Sequence, residues 1–111
     1  MATFTGTAAN DVLVGSNQDD VLNGLLGADK MAGGAGNDVY FVDQAGDVVT
    51  ELKNNGLYDA IVSSISTTLG ANIETLELVG GALNGTGNAL DNFVRGNSLG
   101  NQIDGAAGEV V

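Results

Sequence analysis

Asp11, Asp20, Asp29 and Asp38 recur every nine residues, and each follows a glycine by five places: Gly6, Gly15, Gly24 and Gly33. Two places after each acid comes a large apolar residue, in turn Leu13, Leu22, Met31 and Tyr40. Asp47 and Val49 extend the series by one more step. Carboxylates set at fixed intervals in glycine-rich turns have the chemistry of ligands for a hard cation, because the acids bring charge and the turns bring backbone carbonyl oxygens. The chain has no His and no Cys, so its donors are all oxygen; that suits Ca²⁺ and disfavours zinc or copper.

The side-chain ligand candidates are therefore Asp11, Asp20, Asp29, Asp38 and Asp47, with Asp19 as a neighbour that either adds a ligand or stays solvated. Backbone carbonyl candidates lie in the same turns, at Gly6, Ala8, Gly24, Leu26, Gly33, Ala35 and Asn37. An EF-hand begun at Asp19 fails, since its twelfth place is Lys30 rather than a bidentate acid.

Residues so spaced need elements that bring them together. In each unit the first six residues are turn-like and the last three extended, with Gly permitting a positive φ and a close backbone approach. Alternation turns the eighth residue inward, so Tyr40 faces the core while Val39 and Phe41 face out. A three-residue strand is too short to stand alone and must pair with strands of neighbouring turns. Two units then make one coil, and coils stack at about 4.8 Å. Stacking brings Asp11 near Asp29 and Asp20 near Asp38. Like charges about 4 Å apart repel by about 1 kcal/mol even in bulk water. A divalent ion between the loops converts that repulsion into ligation.

Beyond residue 50 the beat loosens. Asp59 and Ile61, then Glu74 and Leu76, repeat the acid-x-apolar pair at altered spacing. From 87 the rule returns with Asn92 and Asn101 in the acid's place and Val94 and Ile103 in the apolar place. We read residues 1–111 as one module: regular acid-type repeats over 6–50, an irregular middle over 51–86 with a turn at 54–56, and Asn-type repeats over 87–111 that cap the array through side-chain amide ladders.

The formal net charge of −11 argues against nucleic acid and anionic membranes as partners. No apolar run approaches the roughly 18 residues of a membrane span. MATFTG at the start has neither a basic nor an apolar signal-peptide region. Catalysis finds no His to act as a base near neutral pH and no Ser flanked by an activating partner, so we expect a non-catalytic module. Without a cation, charge repulsion and glycine entropy are expected to leave the chain largely disordered.

GGAGNDVYF at 33–41 resembles in every place the nonapeptide of the repeats-in-toxin (RTX) family, G-G-x-G-x-D-x-U-x with U large and apolar. The stretches VDQAGDVVTE, LGANIETLEL and GTGNALDNFVRGN are similar to the sequence that trails such repeats in bacterial secreted proteins. The resemblance implies an all-β, right-handed parallel β-roll with Ca²⁺ between stacked loops. It also implies an extracellular protein exported by a type I route that needs no N-terminal signal. Against the pattern, Thr7, Ala9, Ser16, Gln18 and Leu25 replace glycine, and their side chains are expected to tilt or loosen those loops. The loop 33–38 is the best half-site, with 15–20 as its partner. Such rolls are appended to lipases, proteases, sugar epimerases and adhesins, so a covalently linked catalytic or adhesive domain and a polysaccharide partner are the second implication.

Overall fold

The computed structural model describes residues 2–51, 58–82, 84–90 and 92–105, and these form strands and turns with no helix. The sequence-predicted turn at 54–56 and the last unit's end at 106–111 lie outside the described residues. The strands are β1 (Ala2–Thr5), β2 (Val12–Val14), β3 (Asp20–Asn23), β4 (Lys30–Ala32), β5 (Val39–Val42) and β6 (Val48–Thr50). They continue as β7 (Ala60–Ser63), β8 (Thr67–Thr68), β9 (Thr75–Leu78), β10 (Asn84–Thr86), β11 (Phe93–Arg95) and β12 (Gln102–Asp104).

Odd-numbered strands up to β11 make one six-stranded sheet, in the order β1-β3-β5-β7-β9-β11. Facing it are two three-stranded sheets, β2-β4-β6 and β8-β10-β12. Every ladder is parallel. The chain is thus a parallel β-roll, with one strand from each wall per coil.

Register follows the nine-residue unit. Val21 pairs with Val39 and Met31 with Val49, each 18 residues apart, which is two units per coil. The irregular middle departs from this and then returns. Val39 pairs with Ala60, 21 residues on, and Ala60 with Thr75, 15 on. An excess of three residues is cancelled in the next coil, so the later ladders regain the 18-residue step, as between Thr75 and Phe93. The facing wall breaks at the same level, between β6 and β8.

The core is a column of inward residues on the long sheet, Leu22, Tyr40, Ile61, Leu76 and Val94, packed with Met31 and half-buried Leu13 and Val49 from the opposite wall. Burying each Leu or Ile contributes about 1.5–3 kcal/mol. Ile103, which the repeat pattern also turns inward, sits on the edge strand β12 and is exposed. Phe41 is exposed and Val39 half-buried, as alternation requires. The wall is one side chain deep, so the turns that join the strands decide much of the roll's stability.

Candidate metal centre

The sixth-place acids stand in two columns, one on each flank of the roll, and each column is a hydrogen-bonded ladder. On one flank the Asp11 amide donates to Asp29 Oδ1 at 2.8 Å, and the Asp29 amide to Asp47 Oδ1 at 2.9 Å. On the other, the Asp20 amide donates to Asp38 Oδ1 and the Asp38 amide to Asp59 Oδ1, both at 2.9 Å. The Asp59 amide continues this column to Glu74 Oε1 at 2.7 Å. One oxygen of these acids therefore holds the backbone of the preceding coil. The second oxygen of each acid lies outside this ladder.

That second oxygen divides the loops into two kinds. In 6–11, Asp11 Oδ2 accepts the Thr7 amide at 2.6 Å, and the Thr7 hydroxyl donates to the same carboxylate. In 15–20, Asp20 Oδ2 accepts the Ser16 amide at 2.6 Å and the Ser16 hydroxyl at 2.8 Å. The Ser16 amide above all holds the Asp20 carboxyl below its usual range, against burial, which pushes the other way. Thr7 and Ser16, expected from the sequence to loosen their loops, instead close them onto the acid. Asp47 Oδ2 likewise accepts the Asp43 and Gln44 amides, at 3.1 and 3.2 Å.

Loops 24–29 and 33–38 are open. Asp29 Oδ2 and Asp38 Oδ2 are buried and have no hydrogen-bond partner. The cause is backbone geometry: φ is +63° at Leu25 and +95° at Gly27, and +82° at Gly34 and +91° at Gly36. In the left-handed region the second residue's amide no longer faces the acid, and the Leu25 amide bonds Asn23 Oδ1 at 3.0 Å instead. Leu25 adopts this conformation at a cost of about 1–2 kcal/mol, the usual penalty for an L side chain there. A Cβ at Gly24 or Gly33 would overlap the orphaned oxygen of Asp29 or Asp38, so glycine in first place makes room for that oxygen, as Gly6 and Gly15 do for Asp11 and Asp20. A buried anionic oxygen without a donor costs more than the about 1–3 kcal/mol of a neutral orphan. A hard cation meets that need, and with buried, unpartnered carboxylate oxygens in an all-oxygen donor set the residues fit Ca²⁺.

The other sequence candidates take these places. Gly24 and Gly33 are buried, and their carbonyl oxygens face Gly6 and Gly15 of the preceding coil, beside Asp11 and Asp20. Ala8, Leu26 and Asn37 are exposed turn residues and Ala35 is half-buried. Asp19 accepts the Asn37 amide at 2.8 Å, which gives it a part in holding the turns together.

Below Asp38 lies a group that the repeat pattern did not single out. Carboxylate oxygens of Asp38, Glu51 and Asp59 lie within 4.8 Å of one another, and all three residues are buried. Tyr40 donates its hydroxyl to Glu51 Oε2 and accepts the Gly33 amide at 2.7 Å. Glu51 Oε1, like Asp38 Oδ2, accepts from no described N–H or O–H donor, and Glu51 lies within hydrogen-bond reach of Asp38 and Asp59, where a proton or a cation can join the acids. Burial first, then the neighbouring acids, pushes Glu51 up to about 8. Burial, then Asp59, pushes Asp38 up to about 6, and burial raises Asp59 as well. Two ionised carboxylates at this separation repel by about 3–4 kcal/mol at an effective dielectric of about 20. Near neutral pH the three are not all ionised unless a cation sits among them. Strand alternation carries the signal for Glu51: from inward Val49, two places on is again inward, so the acid enters the core.

The Asn-type units answer the same geometry with an amide. Asn92 Oδ1 accepts the Asn88 amide at 2.9 Å, the role Asp20 Oδ2 plays toward Ser16. Asn92 Nδ2 donates to the Ile73 carbonyl of the preceding coil at 3.1 Å, and Asn88 Nδ2 to the same carbonyl at 2.7 Å. Asn97 and Asn101 reach the Ala82 carbonyl in the same way. These amides thus bridge to backbone carbonyls, where the sequence suggested ladders between side chains. An N–H donor takes the place a cation would have between two coils.

Comparison with known proteins agrees with this geometry. Residues 5–40 match the RTX calcium-binding nonapeptide repeat in four copies. The chain is 34% identical over 96 residues to endo-1,3-1,4-beta-glycanase ExsH of Rhizobium meliloti (strain 1021). That match covers 86% of this chain and 19% of the glycanase, so the chain spans about a fifth of the relative's length. No solved structure matches.

Proposed function

We propose, on the premise that residues 5–40 of this calcium-binding β-roll are RTX nonapeptide repeats, that Ca²⁺ is held at the open loops 24–29 and 33–38. Loops 6–11 and 15–20 are closed by their own Thr7 and Ser16. The observation that carries this is the pair of orphaned oxygens, Asp29 Oδ2 and Asp38 Oδ2, in the loops with positive φ at both second and fourth places. The module is non-catalytic and folds when calcium becomes available outside the cell, where modules of this kind bind at about 10⁻⁴ to 10⁻³ M. Its role is to order and support a larger secreted protein.

Asp29→Asn tests the assignment. Asn keeps an oxygen to accept the Asp11 amide but puts a nitrogen where the orphaned oxygen was. Calorimetric calcium titration is expected to lose one ion per chain relative to the parent. Unchanged stoichiometry and affinity would sink the assignment of that loop.

A second reading, an accessory module that holds polysaccharide for a linked enzyme, is favoured by the likeness to a glycanase. Affinity electrophoresis in gels containing a mixed-linkage 1,3-1,4-β-glucan separates the two. Retarded migration supports the accessory role, and unretarded migration leaves the structural one.

A further inference from the structure

We propose that Asp38, Glu51 and Asp59 form a second kind of cation site, which takes one Ca²⁺-class ion and is closed by a carboxylate from outside the nonapeptide pattern. The proposal rests on the reading above that the roll binds calcium. It adds to that reading an internal site whose ligands come from both walls.

Each of the three side chains is aimed by a bond at one of its oxygens. Asp38 Oδ1 accepts the Asp20 amide, Asp59 Oδ1 accepts the Asp38 amide, and Glu51 Oε2 accepts the Tyr40 hydroxyl. With one oxygen anchored, the other is directed. Asp38 Oδ2 and Glu51 Oε1 accept from no described N–H or O–H donor, in residues only 0% and 6% exposed; Asp38 Oδ2, assigned above to loop 33–38, would bridge that loop's ion and this one. The two described bases are elsewhere: Lys30 and Arg95 are exposed, on β4 and β11. Three carboxylates with no nitrogen or sulfur donor select a hard ion.

Position gives the site a purpose. Glu51 follows β6 and Asp59 precedes β7, so the ion would join the two ends of the connection between them. This is the coil in which the register lengthens to 21 residues and the facing wall divides. Asp38, the acid of the intact loop, would tie that connection to the regular array. An ion here would act as a staple where the coil lengthens, and Asn72 Nδ2, which donates to the Glu51 carbonyl at 3.1 Å, holds the same point from the next coil.

Tyr40 makes the site observable, because its hydroxyl touches Glu51 and can sensitise bound Tb³⁺. The only other tyrosine is Tyr58, 70% exposed, so Tyr58→Phe leaves a single reporter. In the full chain carrying Tyr58→Phe, Tb³⁺ is expected to give tyrosine-sensitised emission that Ca²⁺ displaces. Adding Glu51→Gln should weaken binding by about tenfold or more, at least the loss seen when a ligand's supporting partner is removed. It should also remove one calcium from the calorimetric count. Asp59→Asn is expected to do the same, and guards against a folding defect particular to Glu51→Gln; circular dichroism at saturating calcium checks both.

The outcomes separate. If Asp29→Asn loses an ion while Glu51→Gln and Asp59→Asn keep both emission and stoichiometry, the internal site is refuted and the loop reading stands. A shared proton is then what holds the three acids. If the parent chain binds neither Ca²⁺ nor Tb³⁺, both readings fall together.

Discussion

Adding a chelator to the calcium-loaded chain near neutral pH is expected to convert its far-ultraviolet circular dichroism from strand to largely disordered signal, and returning calcium should restore it. The reason is a balance of sizes. An ion that binds only the folded state contributes about 2.7 kcal/mol when free calcium is about 100 times its dissociation constant. Two open loops then contribute about 5 kcal/mol, the lower end of a domain's whole stability of about 5–15 kcal/mol. Against this stand a core one side chain deep and a net charge of −11. Buried Asp29 and Asp38 add the cost of their unpartnered oxygens once the ion is gone. Urea titration at fixed calcium should show a midpoint that climbs with ion concentration. A strand signal that persists unchanged in chelator would mean that the aspartate ladders and the Asn amides hold the roll without calcium.

The spacing of Gly6, Gly15, Gly24 and Gly33 against their acids was enough to read the coil, its 18-residue register and the inward column from Leu22 to Tyr40. These follow from a period, and a period is legible without coordinates. What the period does not contain is the direction of a hydrogen bond. Ser16 and Leu25 both look like departures from glycine, yet one donates to its acid and the other turns away from it. The difference lies in φ, positive at Leu25 and not at Ser16, and a positive φ at a leucine is not announced by its type. Asp20 and Asp38 look equivalent in the series, yet the Ser16 amide holds the Asp20 carboxyl down while burial pushes the Asp38 carboxyl up. Glu51 escaped because it belongs to no repeat place. It becomes visible once the inward place of Val49, which the series supplies, is carried two residues on, past the end of β6.

Without calcium, the chain is expected to be more stable at about pH 5 than at about pH 8, the reverse of its behaviour when loaded. Glu51 is pushed up to about 8 and Asp38 to about 6, from ordinary values near 4.5 and 3.8. In the unfolded chain both acids ionise near their ordinary values, so between those and the raised ones the folded state binds more protons. Stability therefore falls as pH rises. The contribution is complete below about pH 4, declines first as Asp38 ionises near 6 and is gone once Glu51 ionises near 8. Allowing for screening by nearby water, the loss between about pH 5 and 8 is on the order of 2 kcal/mol. Asp20 works the other way, since its lowered value gives stability that is lost only in stronger acid, as pH falls through that value. Calcium reverses the trend because it takes the position that protons hold at low pH, so its affinity should rise from about pH 5 to about pH 8. The strand signal that remains in chelator should therefore fall from about pH 5 to about pH 8, while the urea midpoint in calcium rises over the same range. Glu51→Gln carries no titrating group at this position and is expected to flatten the calcium-free slope. A calcium-free chain more stable at about pH 8 than at about pH 5 would show that the Asp38, Glu51 and Asp59 carboxyls are solvated and apart, and the electrostatic case for an ion among them would go with it.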